Sequence, residues 1–364
     1  MNAFSAADHE FMARALRLAE RGLFTTTPNP RVGCVLVKDG VVIGEGWHER
    51  AGEAHAEIHA LRAAGASARE ATAYVTLEPC SHFGRTPPCA EALIEAGVTR
   101  VVAAMQDPNP QVAGRGLARL AAAGISVANG LLEVEARELN VGFVARMTRM
   151  RPWTRVKLAA SLDGKTALNN GRSQWLTGPA ARKDGHRWRA RACAIVTGIG
   201  TVLADDPQFN VREVDTPRQP LKVVVDSRLE LGVQARLFDG GGLVLVATAS
   251  AENPHAGALR ERGAEILCLA DASGRVDLAV LWEELARRGL NEVHVEGGAR
   301  LSGALLAAGL VDELLIYLAP CVVGDVAKGL FALPALESLD DKKRLSLVDV
   351  RRIGDDIRVI ARPV

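Results

Sequence analysis

The segment Tyr74-Val-Thr-Leu-Glu-Pro-Cys80-Ser-His-Phe-Gly-Arg-Thr-Pro-Pro-Cys89, with His55-Ala-Glu57 upstream of it, sets the architecture of the first half of this chain. Ala73 to Leu77 reads as a short buried strand, and Cys80 follows it closely. Ala90 to Ala96 reads as a helix, so Cys89 sits at a helix start, where the N-terminal dipole favours a thiolate. His55 and Glu57 lie at the start of another predicted helix, Ala54 to Ala64. One imidazole and two thiolates are borderline-soft donors that suit Zn2+, one ion per chain. Three protein ligands leave a tetrahedral position for water, whose pKa the metal lowers towards about 7. Glu57, two residues after His55, is placed to move protons rather than to bind metal. A structural zinc site would instead need a fourth protein ligand, and His48, His59 or His82 could supply one.

Working outward, Ser5 to Arg21 reads as an amphipathic helix with Phe11, Ala15, Leu18 and Ala19 on one face. The turn-rich Thr25-Thr-Thr-Pro-Asn-Pro30 follows. Gly33 to Val37 and Val41 to Trp47 are apolar runs joined by Lys38-Asp39-Gly40, a hairpin signal. Arg100 to Met105 and Ile125 to Ala128 read as strands, and Gly116 to Ala123 and Glu133 to Arg146 as helices. Such alternation predicts an α/β sandwich with a mainly parallel sheet. The basic run Arg146 to Arg151 precedes Pro152 and marks a boundary, giving domains 1–146 and 151–364.

The 364 residues fit two domains. Lys and Arg total 44 against 43 Asp and Glu, a formal net charge of +1, which gives no bulk attraction to nucleic acid or an anionic membrane. Aromatics are only 4%, too few for extended base stacking. No stretch approaches the roughly 18 apolar residues of a membrane helix. Asp8, Glu10 and Glu20 interrupt the N-terminus, which does not read as a signal peptide, so the expected compartment is the cytoplasm. Of six cysteines only Cys80 and Cys89 cluster, so the other four read as packing residues.

The second half repeats the α/β alternation without an internal repeat. Strands are expected near 154–160, 194–198, 221–226, 243–247, 265–267, 292–295 and 313–318, with helices near 179–191, 276–288 and 299–308. A closing hairpin, 345–353 and 356–361, turns at Gly354-Asp355. Three glycine-bearing turns follow strands: Thr197-Gly-Ile-Gly-Thr201, Val295-Glu-Gly-Gly-Ala-Arg300 and the end of Lys157-Leu-Ala-Ala-Ser-Leu-Asp-Gly-Lys165. Backbone amides at a helix start such as 297–300 can cradle a phosphate. Each turn alone is equally an ordinary glycine-rich connection.

His-x-Glu followed by Pro-Cys-x-x-Cys is the pattern of zinc deaminases, and here eight residues separate the two cysteines. With Thr27-Pro-Asn-Pro30, Val32-Gly-Cys34 and Met105-Gln-Asp-Pro-Asn-Pro-Gln-Val-Ala-Gly-Arg-Gly116, the first half resembles the deaminase half of the bifunctional riboflavin-biosynthesis family. In that family a diaminohydroxyphosphoribosylaminopyrimidine deaminase is fused to a 5-amino-6-(5-phosphoribosylamino)uracil reductase, and the long cysteine spacing is one of its features. Lys157 to Lys165, Ser173-Gln-Trp-Leu-Thr177, Thr201-Val-Leu-Ala-Asp-Asp-Pro207, Val225-Asp-Ser227 and Glu296-Gly-Gly298 resemble its reductase half.

The resemblance implies a cytidine-deaminase-like α/β/α sandwich followed by a dihydrofolate-reductase-like α/β domain, with zinc and NADPH as cofactors. It implies Glu57 as the catalytic proton carrier on metal ligands His55, Cys80 and Cys89. Asn29, His48, His82 and Arg85 are implied to hold the deaminase substrate, although Asn29 is equally a Pro-Asn-Pro turn residue. Implied cofactor contacts are Ala159, Trp175, Thr201, Asp205, Ser227, Gly297 and Gly298, with Arg228 for the 2′-phosphate. Implied substrate contacts are Lys157, Ser173, Arg189, Arg212 and Glu296; Arg189 also reads as a solvated helix charge. Segments 212–220 and 250–257 read as variable loops. The implied partner is a small phosphorylated pyrimidine, not nucleic acid or membrane, and the implied assembly a homo-oligomer, dimer or tetramer. Two alternatives stand beside this reading: a deaminase of nucleic acid or free nucleosides, and a zinc-stabilised binding module without activity.

Overall fold

A computed structural model of the chain describes residues 4–81, 88–250 and 253–364. The chain forms two units, Met1–Met150 and Arg151–Val364.

The first unit runs α1 (Ala6–Ala19), β1 (Gly33–Lys38), β2 (Val41–Trp47), α2 (Ala56–Ala64), β3 (Thr72–Val75), α3 (Cys89–Glu95), β4 (Arg100–Ala103), α4 (Arg115–Ala122), β5 (Ser126–Asn129), α5 (Glu133–Leu139) and α6 (Val141–Arg149). The first helix starts at a capping box. The Asp8 amide donates to Ser5 Oγ at 3.1 Å and the Ser5 amide to Asp8 Oδ2 at 2.9 Å. The other Asp8 oxygen accepts from the Tyr74 hydroxyl and from Arg100, each at 2.7 Å, which ties α1 to β3 and β4. The β1–β2 hairpin turns on Asp39 and Gly40, with φ of 50° and 77°, the left-handed pair that a tight two-residue turn demands.

The sheet order is β2-β1-β3-β4-β5. It is mixed rather than mainly parallel: β1 is antiparallel to both β2 and β3, while β3–β4 and β4–β5 are parallel. The cause is the crossover through α2, which carries the chain past β1 and sets β3 on its far side. The expected single helix over 133–146 is two helices. Asn140, at φ −111° and ψ 23°, separates them. Its amide side chain exchanges hydrogen bonds with the Arg31 backbone (2.8 and 3.0 Å), and Arg31 Nη1 donates to the Leu139 carbonyl at 2.6 Å. A long-range partner thus claims the Leu139 carbonyl that a continuous helix would have used.

Helices cover both faces of this sheet. A Cβ on Gly33 would lie 2.0 Å from the Ala15 carbonyl of α1. On the opposite face, a Cβ on Gly44 or Gly46 would lie 2.3 Å from Ala60 O or 2.4 Å from Ala56 O of α2. Alternate glycines on β2 and the Ala56, Ala60, Ala64 stripe on α2 let the two backbones nearly touch.

The second unit runs β6 (Trp153–Ser161), β7 (Lys165–Ala167), α7 (Pro179–Arg191), β8 (Ala194–Gly198), α8 (Ile199–Asp205), β9 (Leu221–Val225), β10 (Val244–Thr248), α9 (His255–Glu261), β11 (Ala264–Cys268), α10 (Leu278–Arg287), β12 (Glu292–Val295), α11 (Ala299–Ala307), β13 (Glu313–Ala319), β14 (Lys328–Gly329), β15 (Leu345–Ile353) and β16 (Asp356–Pro363). Nine strands form one sheet in the order β11-β10-β9-β8-β12-β6-β13-β16-β15. Its pairings are parallel as far as β13, and β16 and β15 are antiparallel additions. Valine-rich β9 and β10 are largely buried, as a sheet covered on both faces requires.

Two local readings differ from expectation. Gly198 caps α8 directly, so the Thr197–Thr201 stretch is a strand end and a helix start rather than a turn. Within the expected loop 250–257, α9 begins at His255, whose amide donates to Asn253 Oδ1 at 2.9 Å; Ala256 and Leu259 bury its apolar side. Among the described residues, no helix is long and apolar enough to cross a membrane.

Alternation along β6 divides its side chains between two faces. Val156 and Leu158 join the apolar core with Leu281, Leu285 and Leu305 of α10 and α11. Arg155 lies on the other face under α7, with its guanidinium 4.3 Å from the Trp188 ring centroid. Buried Arg155 pairs with Glu292 (3.2 Å) and Glu313 (2.5 Å), and Arg191 joins Glu292 at 2.7 Å. This network anchors α7 over the sheet and so fixes the face that α7 presents to Lys157 and Glu296.

Candidate functional site

The His55 backbone is extended (φ −78°, ψ 166°) and occupies the N-cap position of α2, so Glu57 falls in the first turn. Pro88 precedes α3, and Cys89 is its first residue. His55 Nδ1 lies 3.3 Å from Cys89 Sγ and 3.6 Å from Cys80 Sγ. The three ligand atoms all lie within 4.8 Å of one another. An imidazole nitrogen and two sulfurs at this spacing fit Zn2+ and leave one tetrahedral position for a fourth ligand.

The hydrogen bond from Cys89 and the approach of His55 hold Cys80 down at about 4. Its bond to Cys80, together with burial, pushes Cys89 well up. The α3 start serves both sulfurs: Cys89 opens the helix, and its backbone N–H donates to Cys80 Sγ at 3.3 Å. Glu57 is buried beside them, and burial with the neighbouring Cys80 thiolate raises its carboxyl to about 7.

His48 packs edge-on against His55, with ring centroids 5.3 Å apart. Its Nδ1 donates to Ala54 O at 3.1 Å, and its Nε2 accepts from Asn29 Nδ2 at 3.0 Å. Burial lowers its pKa, so the ring is neutral with the proton on Nδ1. With both nitrogens engaged, His48 does not serve as a fourth metal ligand. His59 is not in the donor group. His82 and Arg85 lie outside the described residues.

The second unit gathers a separate cluster. Arg189 of α7 and Glu296, after β12, form a two-point ion pair at 2.5 and 2.9 Å. Arg189 Nη1 also donates to Asn210 O at 3.1 Å, and Arg212 Nη1 to Asn210 Oδ1 at 3.0 Å. Arg189 is therefore not a solvated helix charge. Burial lowers the Lys157 pKa against the pull of Glu296. Glu296 is held well below the carboxylate range: burial opposes this, but Arg189 and Lys157 outweigh it. Lys157, Arg189, Arg212 and Glu296 all act on His186, a locally cationic cluster in a chain of net charge +1.

His186 belongs to this cluster and was not read from the sequence. It is buried one helical turn before Arg189, and its Nδ1 lies 3.5 Å from the Arg212 amide. Burial, then Arg189 and Arg212, bring its pKa down to about 4. Its i, i+3 spacing from Arg189 was the available signal. The close approach of β2 to α2 also went unread, although Gly44-Glu-Gly46 facing an alanine stripe was a visible sign.

Among the expected cofactor contacts, Thr201 stands near the α11 start, where a Cβ on Gly298 would lie 4.0 Å from Thr201 Oγ1. Gly298 is the extended N-cap of α11 and leaves the backbone there open, as a phosphate cradle requires, whereas a Cβ on Gly297 would lie 3.0 Å from the Leu301 side chain. Ser173 Oγ donates to Asp205 Oδ1 at 3.4 Å. Trp175 is exposed, with Arg182 4.9 Å from its ring centroid. Ala159 lies on β6, opposite Tyr317 of β13. Ser227 Oγ accepts the Val276 amide at 3.1 Å, and exposed Arg228 pairs with Glu230 at 3.1 Å.

Residues 152–359 match the family described as the RibD C-terminal domain, and residues 5–105 match the cytidine and deoxycytidylate deaminase zinc-binding region. The riboflavin biosynthesis protein RibD of Escherichia coli (strain K12) is 50% identical over 364 residues, spanning 96% of this chain and 98% of that protein. The protein of the same name from Haemophilus influenzae is 47% identical over 99% of this chain and 98% of its own. Among solved structures, Acinetobacter baumannii RibD superposes with a TM-score of 0.91 at 44% identity, covering 98% of this chain and 99% of that one. A Thermotoga maritima diaminohydroxyphosphoribosylaminopyrimidine deaminase/5-amino-6-(5-phosphoribosylamino)uracil reductase gives 0.87 at 34% identity, with the same coverage.

Proposed function

The chain belongs to the RibD family of riboflavin-biosynthesis enzymes, which join a zinc deaminase to a reductase, and we propose that its two units carry out those two reactions in turn. The first unit, with domain bounds near 1–146, removes the exocyclic amine of 2,5-diamino-6-ribosylamino-4(3H)-pyrimidinone 5′-phosphate as ammonia. The second, 151–364, reduces the opened ribosyl chain to ribityl, giving 5-amino-6-(5-phospho-ribitylamino)uracil. The observation that carries the reading is the His55, Cys80 and Cys89 donor group beside buried Glu57.

When bound, zinc lowers the pKa of a coordinated water to about 7. Glu57 accepts one proton of the attacking water and passes it to the pyrimidine ring nitrogen; the second proton, from the newly added hydroxyl, it hands to the amine, which leaves as ammonia. Its burial keeps bulk water from competing for that proton. Asn29 and the neutral His48 form a hydrogen-bonded wall beside His55 that orients the ring. His82 and Arg85 are assigned to the substrate's ribose phosphate from the family motif.

NADPH, when bound, supplies the hydride of the second reaction. Gly297, Gly298, Thr201, Asp205, Trp175, Ala159 and Ser227 are assigned to it, with Arg228 for its 2′-phosphate. Arg189 and Arg212 attract the substrate phosphate, and Ser173 and Glu296 bind sugar hydroxyls. Lys157, whose pKa burial lowers, holds a hydroxyl or donates the proton that accompanies ring opening.

A reducing cytoplasm suits the free thiols that the zinc site needs. The homo-oligomer is supported by β15, an edge strand whose Leu345, Leu347, Val348 and Val350 are all exposed. The decisive experiment assays ammonia release and NADPH oxidation separately in Glu57→Ala. With the deaminated intermediate supplied for the second assay, loss of the first with retention of the second is expected; full deamination by this variant refutes the role of Glu57. Turnover of cytidine or RNA at a comparable rate would favour the nucleoside or nucleic-acid reading.

A further inference from the structure

We infer that Glu78 is the positioning residue that holds Cys80 in place for the metal, an inference that rests on the zinc reading above. Glu78 is buried and lies two residues before Cys80. Its carboxylate accepts four backbone N–H groups. Oε2 takes those of Asp107 (3.0 Å) and Gly114 (2.9 Å). Oε1 takes those of Gly116 (2.8 Å) and Leu117 (3.3 Å). These donors belong to the loop after β4 and to the first turn of α4, whose amides have no partner within the helix.

The backbone around the anchor is tied as well. The Glu78 amide donates to Met105 O at 2.9 Å. Gly116 then sets α4 flush against the ligand segment: a Cβ there would lie 1.9 Å from Pro79 O. From the other side, the Ala90 amide donates to Cys80 O at 3.1 Å and the Cys89 amide to Cys80 Sγ at 3.3 Å. The ring of Pro79 fixes one of the few torsions between anchor and ligand. Cys80 is therefore held between α3 and α4, and the Glu78 carboxylate closes one side of that clamp.

A helix cap needs only a short side chain and one or two acceptors. Glu78 does more, because it spans the loop and the helix together. All four partners are donors, so an acceptor-only group is required. A glutamine would turn an NH2 towards one pair of them.

The test uses the full-length protein. Zinc content, zinc release to a chelator and the absorption spectrum of the Co2+-substituted site are measured for wild type and Glu78→Gln. Melting temperature and NADPH oxidation are recorded on the same samples. The expected result is a changed cobalt–thiolate spectrum and zinc loss about 10- to 100-fold faster, with NADPH oxidation on supplied deaminated intermediate unchanged. Glu78→Asp, acceptor-only but shorter, is expected to recover part of the release rate. A lower melting temperature with an unaltered spectrum and release rate in a folded variant would make Glu78 a cap for α4 and overturn the inference. If Glu78→Gln does not fold, Glu78→Asp carries the comparison by the same criteria. If the first unit folds in neither variant, Glu78 serves the fold and the inference fails. A wild type that holds no zinc would instead refute the zinc reading itself.

Discussion

Replacing Gly46 with alanine perturbs the metal site without touching any residue assigned to it. A Cβ at position 46 would stand 2.4 Å from Ala56 O, 2.5 Å from His59 Cβ and 2.7 Å from Ala60 N. Ordinary contact begins near 3.4 Å, and two of these three atoms are helix backbone, which cannot rotate away. The α2 helix must therefore retreat by about 1 Å, the shortfall at Ala56 O. Ala56 lies between His55 and Glu57, so both move with it, while Cys80 and Cys89 stay with α3. Metal–ligand distances tolerate only about 0.2 Å, so a shift of this size opens the site on its imidazole side. Overpacking of this kind costs about 1–3 kcal/mol in stability. A displacement of about 1 Å at a catalytic group costs about 100-fold in rate. Ammonia release should fall by that factor and zinc content should drop, while NADPH oxidation by the same sample, fed the deaminated intermediate, stays at the wild-type rate. Gly46→Ala protein with full zinc and full deamination would refute the argument that β2 sets the position of His55.

Three further outcomes follow from the second unit. Arg189→Ala strips Glu296 of its two-point partner inside a largely buried cluster, so calorimetry should show a loss of about 3 kcal/mol. The same variant should raise KM for the reduction and leave ammonia release unchanged. His186 provides a pH test. Its folded pKa is depressed, from 6.5 to about 4, by burial and by Arg189, Arg212 and Lys157, with Glu296 opposing. Between those values the unfolded chain binds a proton that the folded chain does not, so this contribution is complete above pH 6.5 and is lost as pH falls towards 4. It amounts to at most about 3 kcal/mol, and melting curves of His186→Asn should lose less stability over that window than wild type. Leu347→Asp on the edge strand should shift the protein towards monomer in light scattering, and an unchanged mass would count against β15 as the contact.

Much of the architecture was legible because it is local. Asp39-Gly40 announces its turn through two left-handed residues, and α7 at 179–191 coincides with the helix expected from Pro179 onward. The donor set His55, Cys80 and Cys89 was legible for a chemical reason: few other roles bring an imidazole and two thiols together after a strand and at two helix starts. The Asn140 break was not legible, because its cause is Arg31, far away in sequence. Glu78 read as part of a motif, but its four amide partners come from residues 107–117, which only folding delivers.

The sequence by itself determined the kinds of groups available and their local geometry: which helices start where, which hairpin turns, which side chains bind a borderline metal. Those properties depend on neighbours a few residues apart and on side-chain chemistry. Only the tertiary structure decided that the Cys89 amide serves the Cys80 sulfur, that His48 has both ring nitrogens spent, and that Arg189 faces Glu296 rather than water. Each of these is a matter of desolvation and charge proximity between segments distant in the chain. Burial and a hydrogen-bond partner set such energies, and neither exists until the α2 crossover and α7 have packed on their sheets.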